Sequence, residues 1–225
     1  MDHRRVCLAC PSLEKTHRKK KILDVGHPHI QLLGDKASTA EVKMNTILWA
    51  PHWTSALTTP QFVSFIETFE VLRNAAAAGK DIWYRPHPLL HEYLAANFPE
   101  TSRSTFDILN STFKNVADVP EIDLICSAEL LIHNSGSFIA EWALTGKPSI
   151  FVTNDSYIYE NLNPWDSALL MGSTLTASDG LADVLESESY AANEMPEIQD
   201  RVRSLLKTTI AGQPAETIKS LIADL

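Results

Sequence analysis

The chain of 225 residues is long enough to bury a sizeable core, as one large domain or two small ones. It is 44% hydrophobic, and no apolar run reaches the roughly 18 residues that a membrane span needs. The formal net charge of −9 argues against a broad nucleic-acid surface, which requires a basic face. Three cysteines, an odd number, indicate no disulfide framework, so we expect a cytoplasmic protein with reduced thiols.

Residues 1–21 form a basic leader that contrasts with the acidic remainder. The leader holds seven Lys or Arg against two acidic residues, so residues 22–225 carry a formal charge of −14. A solvated or partly disordered leader is the favoured interpretation. The alternative is contact with a partner or with anionic lipid at the inner face of the membrane. Cys7 and Cys10 form a Cys-x-x-Cys pair here, but no second pair follows, and no metal site is predicted.

Residues 22–225 alternate short apolar strands with helical patterns, and we predict that they form one domain with C-terminal helices. The predicted strands, rich in β-branched or aromatic residues, are 46–50, 81–85, 129–133 and 148–152. The predicted helices are 60–79, 88–97, 136–145, 178–186 and 195–211. Because helices that alternate with strands imply right-handed crossovers, the pattern predicts an α/β fold with a Rossmann-like, doubly wound parallel sheet.

Polar residues follow three of these strands, at the point where each strand ends. His52 comes shortly after the first strand, Arg85 and His87 end the second, and residues 133–137 (HNSGS) end the third. In doubly wound sheets, ligands bind outside the carboxyl ends of the strands. One histidine at such a position has little weight, but three strands that each deliver a histidine to the same edge indicate a site.

The HNSGS segment has the features of an anion site. A helix that begins near Gly136 presents unpaired backbone N–H groups, and the missing Cβ of glycine lets a ligand approach. Ser135 and Ser137 add hydroxyl donors, although Ser135 also suits a simple helix N-cap. Arg85 and His87 can neutralise the same phosphate charge.

Glu141 lies one turn or more into the helix that follows this segment. A carboxylate there suits the hydroxyl donors of a ribose, and a solvated helix charge is an interpretation of nearly equal weight. The chain contains neither a Walker motif nor a Gly-x-Gly-x-x-Gly fingerprint, which excludes a P-loop NTPase. We expect no cofactor.

Three segments together resemble the C-terminal nucleotide-binding half of GT-B-fold transferases. They are "ILWAPHWT", "YRPHP" and "SAELLIHNSGSFIAEWALTGKPSIFV", and "LDVGHPHIQLL" (23–33) adds to the resemblance. The nearest family is that of the CDP-glycerol glycerophosphotransferases, which polymerise teichoic acids. The resemblance covers roughly residues 22–155. The chain departs from that family at His133-Asn134, where the family has Thr-Asp, and at residues 135–137, where it has Tyr-Ser-Ser.

The resemblance implies a function and roles for site residues. Its donor is a nucleotide diphosphate, CDP-glycerol or a UDP-sugar, from which a polyol phosphate or sugar passes to a cell-surface polymer. Catalytic roles fall to His52 and His87, with His133 an alternative group for proton transfer. The predicted diphosphate ligands are Arg85, His87, His133, Asn134, Ser135, Gly136 and Ser137, and Glu141 is the predicted ribose ligand.

The length of the chain suggests half of a two-lobed enzyme, completed by a separate N-terminal lobe or by a second copy in a homodimer. Two alternatives stand beside the transferase. A non-catalytic binding or scaffold lobe would fit the missing half and the basic leader. A UDP-N-acetylglucosamine 2-epimerase would fit the Ser-Gly-Ser turn followed by Glu141.

Overall fold

The structure is a computed structural model that describes residues 28–37, 39–135, 139–153, 173–192 and 219–220. Six strands in these ranges form one sheet. They are β1 (Lys43–Ala50), β2 (Asp81–Tyr84), β3 (Lys114–Asn115), β4 (Ala128–His133), β5 (Ser149–Val152) and β6 (Thr174–Thr176). Every pairing is parallel, in the order β3-β2-β1-β4-β5-β6. The prediction of a Rossmann-like parallel sheet is confirmed.

Eight α-helices lie in the described residues. They are α1 (Pro28–Ala37), α2 (Thr59–Ala77), α3 (Leu90–Asn97), α4 (Pro99–Thr112), α5 (Glu121–Ser127), α6 (Ile139–Thr145), α7 (Leu181–Glu186) and α8 (Ser189–Ala192). Short 3-10 helices span Trp53–Ala56 and Ser178–Gly180. None of the helices in the described ranges is long and apolar enough to cross a bilayer.

The sheet has a hydrophobic core on each face because successive strand residues point in opposite directions. In β1, Ile47 and Trp49 join one core, where they pack with residues of α2, α3 and α4. Leu48 and Ala50 join the other core, which includes residues of α1, α5 and α6. Burial on both faces explains why the central strands read as continuous apolar runs instead of alternating ones.

The strand order reverses at β1, and this reversal determines where a ligand can bind. β1 pairs with β2 on one side and with β4 on the other. The chain therefore leaves β1 in one direction through β2 and β3, and then returns to build the other half of the sheet from β4. A crevice opens at such a switch point, between the carboxyl ends of the two strands. Here those ends lead into Pro51-His52 and into Asn134-Ser135.

Several predicted boundaries need correction. Strand 46–50 begins earlier, at Lys43, and strand 81–85 ends at Tyr84, so Arg85 follows it. Helix 88–97 begins at Leu90, after Pro88, and the predicted helix 178–186 is a 3-10 turn followed by α7. Residues 136–138, the predicted helix 195–211 and the leader 1–21 lie outside the described residues.

The prediction also missed elements that the structure contains. β3 is two residues long and β6 is three, and strands this short are too short for a periodic apolar pattern. Of the helices, α1, α4, α5 and α8 were missed. α5 is seven residues long and α8 four, and such short helices owe their stability to packing instead of intrinsic propensity.

Candidate functional site

A cavity of about 650 Å³ opens beside the carboxyl ends of β1 and β2. Its polar lining comes from strand ends, from the first turn of α3, from the segment that follows β3 and from the start of α5. These residues are His52, Arg85, His87, His91, Asp118, Glu121 and Ser135. The structure therefore brings together four residues that were predicted from separate parts of the sequence, namely His52, Arg85, His87 and Ser135.

Backbone hydrogen bonds hold these strand ends in register. The N–H of Arg85 donates to the carbonyl oxygen of Trp49 at 2.9 Å, and that of His87 donates to the carbonyl oxygen of Pro51 at 3.0 Å. The β ladder thus continues beyond the ends of β1 and β2. The side chains of His52 and His87 are carried on this extension, so the rigid sheet determines their separation.

His52 is fixed by the turn that it begins. It caps the 3-10 helix, and its Nδ1 accepts from the backbone N–H of Thr54, with the Thr54 hydroxyl 3.0 Å away. Burial, with a smaller contribution from the charge of His87, lowers the pKa of His52 to about 4. The ring is therefore neutral near pH 7. Because its Nδ1 accepts from a backbone N–H, its proton lies on Nε2.

His87 forms a pair with His52. The two ring centroids are 5.0 Å apart, with the ring planes at 71°. The Nδ1 of His87 accepts from the backbone N–H of Leu89 at 3.1 Å, so its Nε2 also carries a proton. Each imidazole thus offers an N–H donor from Nε2. Two donors of this kind suit an anionic oxygen better than they suit removal of a proton.

Arg85 is engaged with the protein. Its Nη1 lies 3.5, 3.4 and 3.0 Å from the carbonyl oxygens of Val116, Ala117 and Val119. Its Nη2 lies 3.5 Å from a carboxylate oxygen of Glu121. The guanidinium therefore holds the segment between β3 and α5 against the end of β2, and this segment forms one wall of the cavity.

His133 lies beneath the site, not on its wall. The side chain is 2% exposed, and its ring packs edge-on against Phe151 at 5.1 Å. Its Nδ1 donates to the carbonyl oxygen of Ser135 at 2.7 Å, and burial lowers its pKa to about 4. Its Nε2 has no hydrogen-bond partner among the described residues. In this arrangement the imidazole supports the turn after β4 and does not reach the large cavity.

The other predicted ligands divide into four groups. Ser135 lines the cavity, whereas Gly136 and Ser137 lie outside the described residues. The side-chain amide of Asn134 bonds to His52 and Ser55. Glu141, in the first turn of α6, is half-buried and does not line the cavity.

One group of side chains in the described part of the chain has the chemistry of a metal site. Ligand-type atoms of His29, Glu121 and Glu141 lie within 4.8 Å of one another. An imidazole and two carboxylates suit a divalent cation, although the Arg85 guanidinium beside Glu121 competes for the same carboxylate. The Cys-x-x-Cys pair of the leader lies outside the described residues.

Sequence reasoning missed His91 and Glu121. His91 lines the cavity from the first turn of α3 and packs against Phe106 with the ring centroids 4.0 Å apart. Burial lowers its pKa. His91 lies beyond the end of β2, in α3, so the rule that pointed to strand-end residues did not include it. Glu121 was also unmarked, because it begins α5, a helix that the sequence pattern did not predict.

The fold and the site together define a Rossmann-like α/β protein with a polar ligand cavity at its topological switch point. The sequence matches the family described as CDP-Glycerol:Poly(glycerophosphate) glycerophosphotransferase over residues 14–223. Because this match spans most of the chain, the chain belongs to that family of transferases. The family resemblance seen in the sequence is confirmed.

Individual relatives are more distant. The chain is 25% identical to the teichoic acid ribitol-phosphate polymerase TarL of Staphylococcus aureus (strain NCTC 8325 / PS 47), in a match that covers 82% of this chain and 34% of TarL. A TagF wall teichoic acid polymerase variant soaked with CDPG superposes with a TM-score of 0.52 at 17% identity, over 90% of this chain and 50% of that one. Another TagF structure superposes with a TM-score of 0.50 at 17% identity, over 86% of this chain and 47% of that one.

These matches differ in what they show. At 17% identity the TagF structures show a common fold. The chain spans about a third of the length of TarL and about half the length of the TagF chains.

Proposed function

We propose that this chain is the nucleotide-diphosphate-binding lobe of a GT-B glycerophosphotransferase. Its reaction would pass glycerol phosphate, or another polyol phosphate, from a CDP-linked donor to a cell-surface polymer. The observation that carries the proposal is the convergence of His52, His87 and Ser135 on one cavity at the switch point. Family membership supports the reaction class.

The proposed chemistry is a displacement at phosphorus. A hydroxyl oxygen of the acceptor bonds to the phosphorus of the glycerol phosphate while the bond to the bridging oxygen breaks. CMP leaves with that oxygen, and the hydroxyl proton passes to water or to the phosphate of CMP. Negative charge grows on the leaving phosphate, so N–H donors aimed at it stabilise the transition state. His52 and His87 each supply such a donor from Nε2.

The acidic side of the cavity supports binding of the nucleoside. Ribose hydroxyls donate to carboxylates, and Glu121 and Asp118 line the wall formed by the segment between β3 and α5. The predicted ribose ligand, Glu141, does not line the cavity, and its carboxylate is within 4.8 Å of a carboxylate oxygen of Glu121. We therefore assign the first ribose contact to Glu121 and a supporting position to Glu141.

Arg85 acts in this proposal mainly by shaping the site. Its guanidinium is bonded to three carbonyl oxygens and to Glu121, so it holds the nucleoside wall in place. The predicted diphosphate contact of Arg85 would use the donors that remain on the same guanidinium, which has five N–H groups.

Calorimetric titration with CDP-glycerol, CDP and UDP-N-acetylglucosamine tests the donor class. We expect binding of the two cytidine compounds and weaker binding of the UDP-sugar. His87→Leu should reduce CDP affinity by about tenfold, which corresponds to the loss of one charge-assisted hydrogen bond. Arg73→Ala, which removes an exposed cation that pairs with Glu70, is the control and should bind as the wild type does.

A pair of substitutions at each imidazole tests whether it donates or transfers a proton. A Gln side chain places an amide N–H near the position of Nε2, whereas Leu removes the donor. If His52 and His87 act as donors, the Gln variants retain most of the transfer rate and the Leu variants lose it. If both Gln variants are as inactive as the Leu variants, the donor role is wrong.

The alternatives predict different outcomes in the same tests. A non-catalytic lobe would bind CDP-glycerol and transfer nothing, even when supplied with acceptor. An epimerase would convert UDP-N-acetylglucosamine without an acceptor, which NMR of the sugar detects directly. The predicted N-terminal lobe or homodimer partner, the cytoplasmic location and the membrane contact of the leader belong to this proposal as well.

A further inference from the structure

The side-chain amide of Asn134 joins the ends of the two central strands. Its Oδ1 accepts from the backbone N–H of His52 at 2.8 Å, and its Nδ2 donates to the hydroxyl oxygen of Ser55 at 2.8 Å. Asn134 follows β4, whereas His52 and Ser55 follow β1. The two bonds therefore cross the crevice at the switch point.

Chemistry fixes the orientation of this amide. A backbone N–H can only donate, so the atom of Asn134 that faces His52 must be the carbonyl oxygen. The nitrogen then faces Ser55, whose side chain is 2% exposed. Because both bonds are at least partly shielded from water, breaking either one leaves a polar group that solvent cannot easily satisfy.

The two bonds secure one short turn at both ends. His52 begins the 3-10 helix, and the backbone N–H of Ser55 donates to the carbonyl oxygen of His52 at 3.1 Å. The side chain of Asn134 thus bonds to the backbone of the first residue of the turn, His52, and to the side chain of the fourth, Ser55. The imidazole of His52 extends from this secured turn into the cavity.

We infer that Asn134 is a positioning residue that holds His52 in the cavity, instead of a ligand of the diphosphate. The inference rests on the proposed function only for the part that His52 plays in the reaction. The bracing of His52 by Asn134 can be tested in the free protein, without donor or acceptor.

Amide hydrogen exchange directly measures the hydrogen bond from the backbone N–H of His52 to Asn134. In Asn134→Ala, the backbone N–H of His52 loses its acceptor and should exchange about fivefold faster, as expected for the loss of one hydrogen bond. Ser55→Ala removes the second bond only and should give a smaller change in the same direction. Asn134→Asp should restore slow exchange, because a carboxylate accepts from both His52 N–H and the Ser55 hydroxyl.

Asn97→Ala is the matched control. Asn97 also donates from its side chain to this turn, to the carbonyl oxygen of Ala56 at 2.8 Å, but it touches neither His52 nor Ser55. It should lower stability without changing exchange at His52. Equal acceleration in the Asn97 and Asn134 variants would overturn the inference, because the effect would then be general loosening.

A titration of the His52 ring by NMR provides a readout that general destabilisation does not change. Burial first, and then the interaction with His87, lower the pKa of His52 to about 4. The other titratable or charged groups that line the same cavity are Arg85, His91, Asp118 and Glu121. A ring that leaves this position in Asn134→Ala should titrate closer to 6.5. An unchanged pKa together with unchanged exchange would overturn the inference.

Titration with CDP separates this inference from the proposed function. If the wild type does not bind CDP, the proposed function fails, and the exchange and titration data still decide the role of Asn134. If Asn134→Ala abolishes CDP binding while the exchange and pKa of His52 stay as in the wild type, Asn134 is a direct ligand and the positioning role is wrong.

Discussion

The imidazoles of His52 and His87 lie 5.0 Å apart at 71°, although 34 residues of chain, including the whole of α2, separate them. Two neighbouring parallel strands bring them together at the same edge of the sheet. Each ring is held by a backbone N–H that donates to its Nδ1. The register of β1 and β2 therefore determines the distance between the two rings. The electrostatic coupling between the two imidazoles can be measured.

His87→Ala should raise the pKa of His52, because the coulombic interaction with His87 is the second cause of its depression. The rise should stop well short of 6.5, since burial is the larger cause and remains. An NMR titration of the His52 ring in both proteins measures the shift. A His52 pKa that falls or stays at about 4 would show that the two rings are not coupled.

His133 should make the protein less stable in acid. Its pKa is about 4 in the folded state and near 6.5 in the unfolded chain, so the unfolded state binds a proton first as the pH falls. Stability is therefore lost between pH 6.5 and 4, by on the order of 3 kcal/mol for this group. His133→Asn keeps a donor near the position of Nδ1 and cannot take up the proton. Urea unfolding should show a shallower loss between pH 7 and 4.5 in this variant than in the wild type, and parallel curves would contradict the prediction.

Lys147 should contribute more to stability than a typical surface lysine. Its ammonium donates to the carbonyl oxygens of Ile125, Cys126 and Ala128 and lies 4.5 Å from the centroid of the Trp142 ring. Lys147→Met removes these bonds at the end of α5 and should cost about 1–3 kcal/mol in urea unfolding.

Lys36→Met is the control for that prediction. Lys36 pairs with Asp123 on the surface, where both side chains are more than 40% exposed. Exposed pairs contribute about 0–1 kcal/mol, so the control should change the free energy of unfolding very little. Similar losses in the two variants would mean that the partly buried position of Lys147 adds nothing to stability.

Gly79 and Gly34 should respond in opposite directions to alanine. Gly79 follows α2 with a φ of +99°, a conformation that a Cβ disfavours, so Gly79→Ala should cost about 1–2 kcal/mol. Gly34 lies inside α1, and a Cβ there meets nothing within 4 Å. Gly34→Ala should therefore stabilise the protein by about 0.5–1 kcal/mol. Thermal unfolding of both variants provides the test, and a stabilised Gly79→Ala would contradict the assigned backbone conformation.

The central strands could be predicted because both of their faces are buried. β1, β4 and β5 each carry a run of buried residues, and such runs are visible in the sequence as continuous apolar segments. The edge strand β3 has two exposed residues and depends on pairing with β2. β3 forms because it pairs with β2, and no local pattern in the sequence of β3 indicates that pairing.

The sequence by itself determined that strand ends deliver His52, Arg85, His87 and Ser135 to one edge, because parallel strands must end on the same side of a sheet. Only the tertiary structure decided how each side chain is used. In the folded chain, His133 is buried, and the Arg85 guanidinium donates to carbonyl oxygens of the segment after β3. His91 and Glu121 also line the cavity. Those outcomes depend on contacts between residues far apart in the chain, and the spacing of residues along a sequence does not encode them.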